Sequence, residues 1–354
     1  MAGPNSRPRA ASVVASPVAN LRIGAHCSTA GGVQRAIERA AAMGCRSVQI
    51  FGTNGRQWKA RHHRSEEIAA WEAARATHDV GPVFSHGIYL INLGSTDSRI
   101  YAASIRSLID GLRIAADLKL AGLIFHLGSY GDGAPPAVIA RVAQGLRHAL
   151  DQSPNSVPLL LENSAGSARM LGARFADLAE VLAATGNDER LRVCVDTAHA
   201  FAAGSDLRTA DGLEALLATV RATVGLERVA ALHVNDSAAP CGSQRDRHAN
   251  LGEGEIGLDG LRLALNHPAF AGLPAMLEVP GFAGDGPDMA NMEIARAMLG
   301  VGRLTLLGAL RRARRQAAGS ASQGAASSRG PVDGPSGPAG RRAGHASKPV
   351  GAFN

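Results

Sequence analysis

The chain has 354 residues, 45% of them apolar, and carries 37 Lys and Arg against 30 Asp and Glu for a formal charge of +7. That length and apolar content suffice for a large α/β core of about 250 residues or more, and the absence of any run of 18 apolar residues excludes a membrane-spanning helix. Cys27, Cys45, Cys194 and Cys241 lack metal-ligand spacing, which excludes zinc-finger modules and a disulfide framework and reads as reduced thiols of a cytoplasmic protein.

The charge is uneven. Residues 311–354 hold seven Arg and one Lys against Asp333, and residues 1–22 hold Arg7, Arg9 and Arg22 with no acid, so residues 23–310 carry a net −3. The basic balance therefore belongs to the ends and does not mark the body as a nucleic-acid binder. Residues 1–20, rich in Ala, Ser, Pro and Val, read as a disordered extension. Residues 309–354 read as a disordered basic Gly/Ala/Ser/Pro-rich tail, because such a segment buries too little apolar surface to offset its ordering entropy. Two roles stay open for that tail: non-specific DNA affinity through counterion release, or none.

Residues 21–308 read as one domain of eight strand–helix units. The predicted strands are RIGAH (22–26), SVQIF (47–51), PVFSH (82–86), LIFHLG (123–128), PLLLEN (158–163), RVCVDTAH (192–199), VAALHVND (229–236) and PAMLEV (274–279). Each is apolar almost throughout, as a parallel strand buried on both faces must be. Segments of helical period separate them, such as VQRAIERAAAM, SEEIAAWEAARATH and FADLAEVLAAT. Alternating units of this kind predict a TIM (β/α)8 barrel, whose functional residues gather at the C-terminal rim of its strands.

Nine residues able to bind divalent metal fit that rim: His86, His126, Glu162, Asp196, His199, His233, Asp246, His248 and Glu278. Six of them, His86, His126, Glu162, Asp196, His233 and Glu278, stand at or near the ends of the third to eighth strands and recur at gaps of 40, 36, 34, 37 and 45 residues. His199 follows Asp196 past a strand end, and Asp246 and His248 lie two apart in RDRH, a spacing that puts both on one face of an extended stretch. A single His or Asp at a strand end is more often a hydrogen-bonded polar residue than a ligand; six such ends in series are not accounted for that way. Five imidazoles and four carboxylates exceed one zinc ion and suit a cluster. His26, closing the first strand, reads as a hydrogen-bonding partner of the site. His62, His63, His78, His148, His267 and His345 read as solvated.

The segments SHGIYLINLG, FHLGSYGDG, LLLENSAG, VCVDTAHAFAAGSDLRT, LHVNDS, GSQRDRHANLGEGEIG and LEVPG, with NGRQWKA near the start, follow one another as in the endonuclease IV family. The chain resembles that family over about residues 21–300. The resemblance implies a trinuclear Zn²⁺ site, with Mn²⁺ in part of it as an alternative. One ion would be held by His86, His126 and Glu162; a second by Glu162 as bridge, Asp196, His233 and Glu278; a third by His199, Asp246 and His248. It further implies a DNA-repair endonuclease that cuts the phosphodiester 5′ to an abasic site in duplex DNA through a metal-bridging hydroxide, which Glu162 helps to position. The expected products are a 3′-hydroxyl and a 5′-deoxyribose phosphate, and 3′-blocking groups at strand breaks are expected substrates. Arg56, Tyr89 and Leu90 would enter the base stack, with Asn92 beside them on the DNA side. A monomer in the cytoplasm, associated with the nucleoid in a bacterium, suits a protein that wraps one duplex. Tyr130, Gly87, Ile88 and Ser164 depart from common family residues without removing a ligand. The alternatives are a metal-dependent sugar isomerase or epimerase on the same barrel, which would leave the third ligand set without a role, and a catalytically silent lesion-binding protein.

Overall fold

A computed structural model describes residues 21–315 apart from residues 132, 134 and 303. In chain order the strands are β1 Arg22–His26, β2 Val48–Phe51, β3 Val83–His86, β4 Gly122–Phe125, β5 Leu159–Glu162, β6 Leu191–Asp196, β7 Val229–His233, β8 Asp236–Ser237, β9 His248–Ala249 and β10 Pro274–Leu277. Eight of them close a parallel barrel in the order β1-β10-β7-β6-β5-β4-β3-β2, as the eight apolar runs predict, and β8 pairs with β9 in a separate two-stranded antiparallel sheet.

Helices surround the barrel and turn one apolar face onto it. Ser98–Asp117 starts where Asp97 accepts the backbone N–H groups of Arg99 and Ile100 at 2.7 and 3.3 Å, and buries Leu108, Ile109, Leu112 and Ala115 at helical spacing. Ser65–Thr77 buries Trp71, whose indole N–H donates to the Leu118 carbonyl at 2.9 Å and ties two neighbouring helices together.

The predicted strand ends move by a few residues, most in the sixth. The run expected over 192–199 stops at Asp196 because the Asp196 side chain accepts the His199 N–H at 2.8 Å and caps the short helix Thr197–Ala202. The run expected over 229–236 stops at His233, and its last residue, Asp236, opens β8. Residues 306–315 are helical across the expected boundary at 308, with Ala309 and Ala313 buried and Arg312 paired to Glu293 at 2.8 Å. The expectations for residues 1–20 and 316–354 fall outside the described residues.

Candidate metal centre

Strand alternation builds the site. Phe84, Ile124, Leu160, Cys194, Ala231 and Met276 form a small buried cluster of their own, one residue from each of β3, β4, β5, β6, β7 and β10. They plug the barrel interior, while their strand neighbours pack outward into the larger core shared with the helices. Two residues after each plug residue comes His86, His126, Glu162, Asp196, His233 and Glu278 respectively. A strand repeats its facing every second residue, so a side chain two positions on points the same way, inward, but one layer nearer the C-terminal rim. The register is level between β6 and β7, where Asp196 lies opposite His233, and steps by two residues between β5 and β6, where Glu162 lies opposite the plug residue Cys194. The two remaining strands contribute His26 and Gln49, which are paired across β1 and β2.

The polar layer converges on Glu162, which is fully buried. Its Oε2 lies 3.2 Å from His86 Nε2 and 3.4 Å from His126 Nε2. Its Oε1 lies 2.8 Å from His233 Nδ1 and 3.3 Å from His199 Nδ1. His233 Nδ1 is also 3.2 Å from Glu278 Oε2 and 3.8 Å from Asp196 Oδ2. Asp246 reaches in from the loop after β8, with one oxygen 3.2 Å from His199 Nε2 and the other 3.4 Å from His248 Nε2. All nine predicted residues therefore meet around one mouth. Three groups place their ligand atoms within 4.8 Å of one another and could hold a metal ion: His86, His126 and Glu162; Glu162, Asp196, His233 and Glu278; and Asp196, His199 and His248. The first two coincide with predicted ligand sets. In the third, Asp196 stands where the prediction has Asp246, which lies against both histidines of that set.

The ring orientations suit a cation. His86 Nδ1–H donates to the Gly87 carbonyl at 2.7 Å, His199 Nδ1–H to the Asn163 carbonyl at 3.0 Å and His248 Nδ1–H to the Glu278 carbonyl at 3.3 Å. His233 Nε2–H donates to the Gln49 side-chain oxygen at 2.7 Å. Each ring thereby turns its second nitrogen toward carboxylate oxygens, and two acceptors at such distances repel unless a proton or a metal ion lies between them. Buried His126 Nδ1 and His248 Nε2 have no hydrogen-bond partner among the described residues. The residues present thus fit divalent metal.

Without metal, protons take up the charge. Burial works against protonating His199, but Asp196 and Asp246 beside it outweigh that and raise its pKa well above the usual value. Burial likewise opposes charge on His233, and Cys194, Glu278 and Glu162 raise it well above. Burial alone would push Glu162 up, yet the imidazoles of His126 and His233 hold it well below the usual carboxylate range. His126 goes the other way, lowered chiefly by burial.

Several working residues escape the sequence reading. Asn163 binds the Asp196 backbone on both sides, donating to its carbonyl at 3.1 Å and accepting its N–H at 2.7 Å. Asn235 donates to Asp196 Oδ2 at 2.7 Å and accepts the Glu278 N–H at 2.7 Å. Asp236 accepts backbone N–H groups of Ser237, Gly252, Gly254, Ile256 and Gly257, which anchors the segment following β9. Each follows a metal-type residue directly or within three positions, in LEN and HVND, and that adjacency is the signal available. His26 is where the sequence puts it, with its Nδ1 3.0 Å from Gln49 Nε2 and 3.7 Å from Glu278. His63 is half-buried and bonded to the Gly52 carbonyl at 3.1 Å, so it is not the solvated residue expected.

Beside the mouth, Arg56, Tyr89 (62% exposed) and Leu90 (37%) present their side chains to solvent next to Trp58 (38%). The Tyr89 N–H donates to the Gly55 carbonyl at 2.9 Å, which joins the loops after β2 and β3. Asn92 differs from these three. It is half-buried, and its side-chain oxygen accepts the N–H groups of Gly94 and Ser129 at 3.0 and 3.1 Å, so it ties the β3 loop to the β4 loop.

Fold and rim together define a β/α-barrel protein with clustered His, Asp and Glu groups that could hold metal at the C-terminal end of its strands. A family model described as a xylose isomerase-like TIM barrel matches residues 37–299. A probable endonuclease 4 of Halorhodospira halophila is 44% identical over 274 residues, covering 77% of this chain and 91% of the relative. One from Chloroflexus aggregans is 38% identical over 279 residues, covering 78% and 98%. The crystal structure of endonuclease IV from Thermus thermophilus superposes with a TM-score of 0.70 at 38% identity, covering 79% of this chain and 99% of that one. A D-allulose 3-epimerase from a Methylomonas species shares the fold at a TM-score of 0.52 and 17% identity, covering 73% and 83%. The chain belongs to the endonuclease IV family.

Proposed function

We propose that residues 21–308 form a zinc-dependent DNA-repair endonuclease that hydrolyses the phosphodiester 5′ to an abasic site in duplex DNA, leaving a 3′-hydroxyl and a 5′-deoxyribose phosphate. The observation that carries the reading is the placement of Glu162, one oxygen against His86 and His126 and the other against His199 and His233. A carboxylate so placed would join the ion site of His86 and His126 to that of His233. His86, His126 and Glu162 would hold one ion, Glu162, Asp196, His233 and Glu278 a second, and His199, Asp246 and His248 a third, with Asp196 close to the last set. Bound divalent ions supply Lewis acidity toward phosphate oxygens and lower the pKa of water at neutral pH.

The chain's own residues do the rest. Glu162, held in place by four imidazoles, fixes the centre on which the scissile phosphate is oriented. The apolar plug beneath it closes the barrel to water from below. Arg56, Tyr89 and Leu90 stand beside the mouth, where they contact the duplex and fill the gap left by a nucleotide rotated out of the stack. An abasic nucleotide lacks a base to unstack, so its extrusion costs less than that of a normal one. Asn92 supports this surface by fixing the loops that carry it. The same centre would remove 3′-blocking groups. The protein would act as a cytoplasmic monomer on chromosomal DNA; no helix among the described residues is long and apolar enough to cross a membrane. Incubating the zinc-loaded protein with a labelled duplex holding one abasic site tests the proposal. Incision immediately 5′ to the lesion, with a 3′ end that a polymerase extends, is the expected result. An uncut duplex, with protein shown to be folded and metal-loaded, contradicts it.

A further inference from the structure

Of the eight inward-facing rim positions, six carry the candidate ligands and two, His26 and Gln49, do not. Gln49 is fully buried on β2, and its carboxamide makes three polar contacts with residues of the site. Its oxygen lies 2.7 Å from His233 Nε2. Its amide nitrogen donates to Glu278 Oε1 and lies 3.0 Å from His26 Nδ1. We infer that Gln49 is a positioning residue that sets the tautomer of His233 and the rotamer of Glu278, and thereby prepares the Glu162–Asp196–His233–Glu278 group to bind its ion.

The logic runs through hydrogen-bond polarity. A ligating carboxylate only accepts, so the end of the Gln49 carboxamide that faces Glu278 must be the NH₂. The oxygen is then the end that faces His233, and an oxygen only accepts, so His233 Nε2 must carry the hydrogen. That leaves the lone pair on Nδ1, the nitrogen 2.8 Å from Glu162, 3.2 Å from Glu278 and 3.8 Å from Asp196. The bond to Glu278 Oε1 likewise leaves Oε2 as the oxygen turned toward His233. One neutral side chain thus orients two ligands of the same group. His26 is its third partner: accepting the second amide hydrogen, it stops the carboxamide from rotating. A methionine of similar volume would fill the space and set neither ligand. Among the described residues, the hydrogen bonds of Gln49 reach His233 and Glu278 of this group and no member of the other two.

The inference rests on the metal reading proposed above, and its test separates the two. Zn²⁺ affinity is measured by chelator competition on the full chain, wild type and Gln49→Met, together with the visible absorption of the Co²⁺-loaded forms. Q49M is expected to bind one ion about 10–100-fold more weakly, the range seen when an outer partner of a ligand is lost. The other ions should keep their affinity, and the cobalt band of the affected site should shift. Gln49→Glu, which keeps the acceptor for His233 but loses the donor to Glu278, is the second variant should Q49M fail to fold, and it is expected to weaken the same ion. A folded variant that holds every ion with wild-type affinity and an unchanged cobalt spectrum overturns the inference. Wild-type protein that binds no ion at all overturns the metal reading instead.

Discussion

An imidazole nitrogen bearing a lone pair cannot rest near 3 Å from a carboxylate oxygen without a cation between them. In the metal-free site that cation is a proton, and the raised pKa values of His199 and His233 express it. The consequence for pH has two sides. Because these histidines are raised in the folded state, the stability they contribute is fully present below about pH 6.5 and is lost as pH rises through their folded values. Glu162, Asp246 and Glu278 are lowered, so theirs is present above about pH 4–5 and is lost as pH falls through their folded values. Metal ligation needs the neutral ring, so binding at neutral pH must expel those protons. Titrating Zn²⁺ into metal-free protein at pH 7, in two buffers of different ionisation enthalpy, should give heats that differ by the released protons, and affinity should weaken as pH falls. Heats that do not depend on the buffer would contradict this.

At the scale of the element, the site follows from strand parity. Plug residue and ligand are two apart on each of six strands, and that pairing is legible in VFSH, IFH, LLE, CVD, ALH and MLE. The eight strands and the nine ligand-type residues could therefore be read from the chain. Gln49 has the same parity in SVQIF but passes for strand filler, because a neutral amide carries no metal signature. The end of β6 was equally hidden, since whether Asp196 continues a strand or caps a helix depends on a hydrogen bond to a backbone N–H three residues on. Asp236 shows the same limit. Its value comes from five backbone donors, three of them beyond residue 253, brought to one carboxylate by folding. Because β8 and β9 bring His248 to the rim, this anchor bears on the site as well. Asp236→Ala is expected to cost roughly 3 kcal/mol by leaving five backbone N–H groups, those of buried Ser237 and Ile256 among them, without their acceptor. Hydrogen exchange at Gly252, Gly254 and Gly257 should accelerate, whereas β3 to β5 should keep their protection. Unchanged exchange at those glycines would show that the segment is held by other contacts.

Across the whole molecule, charge and metal are linked. Residues 23–310 carry a net −3, an unpromising sign for a surface that must meet DNA phosphates. Glu162, Asp196, Asp246 and Glu278 place four negative charges at the mouth itself, and three divalent ions would turn that −4 into +2. Without those four carboxylates residues 23–310 sum to +1, so loading the centre with three ions would make the mouth attractive to phosphate and turn the net −3 of this segment into +3. The count of ions is then the central quantity, since one ion leaves the mouth negative and three reverse it. Elemental analysis of purified, dialysed protein under metal-replete conditions measures that count directly. Close to three ions per chain is the result expected, and a content near one, in folded protein, would contradict a trinuclear centre.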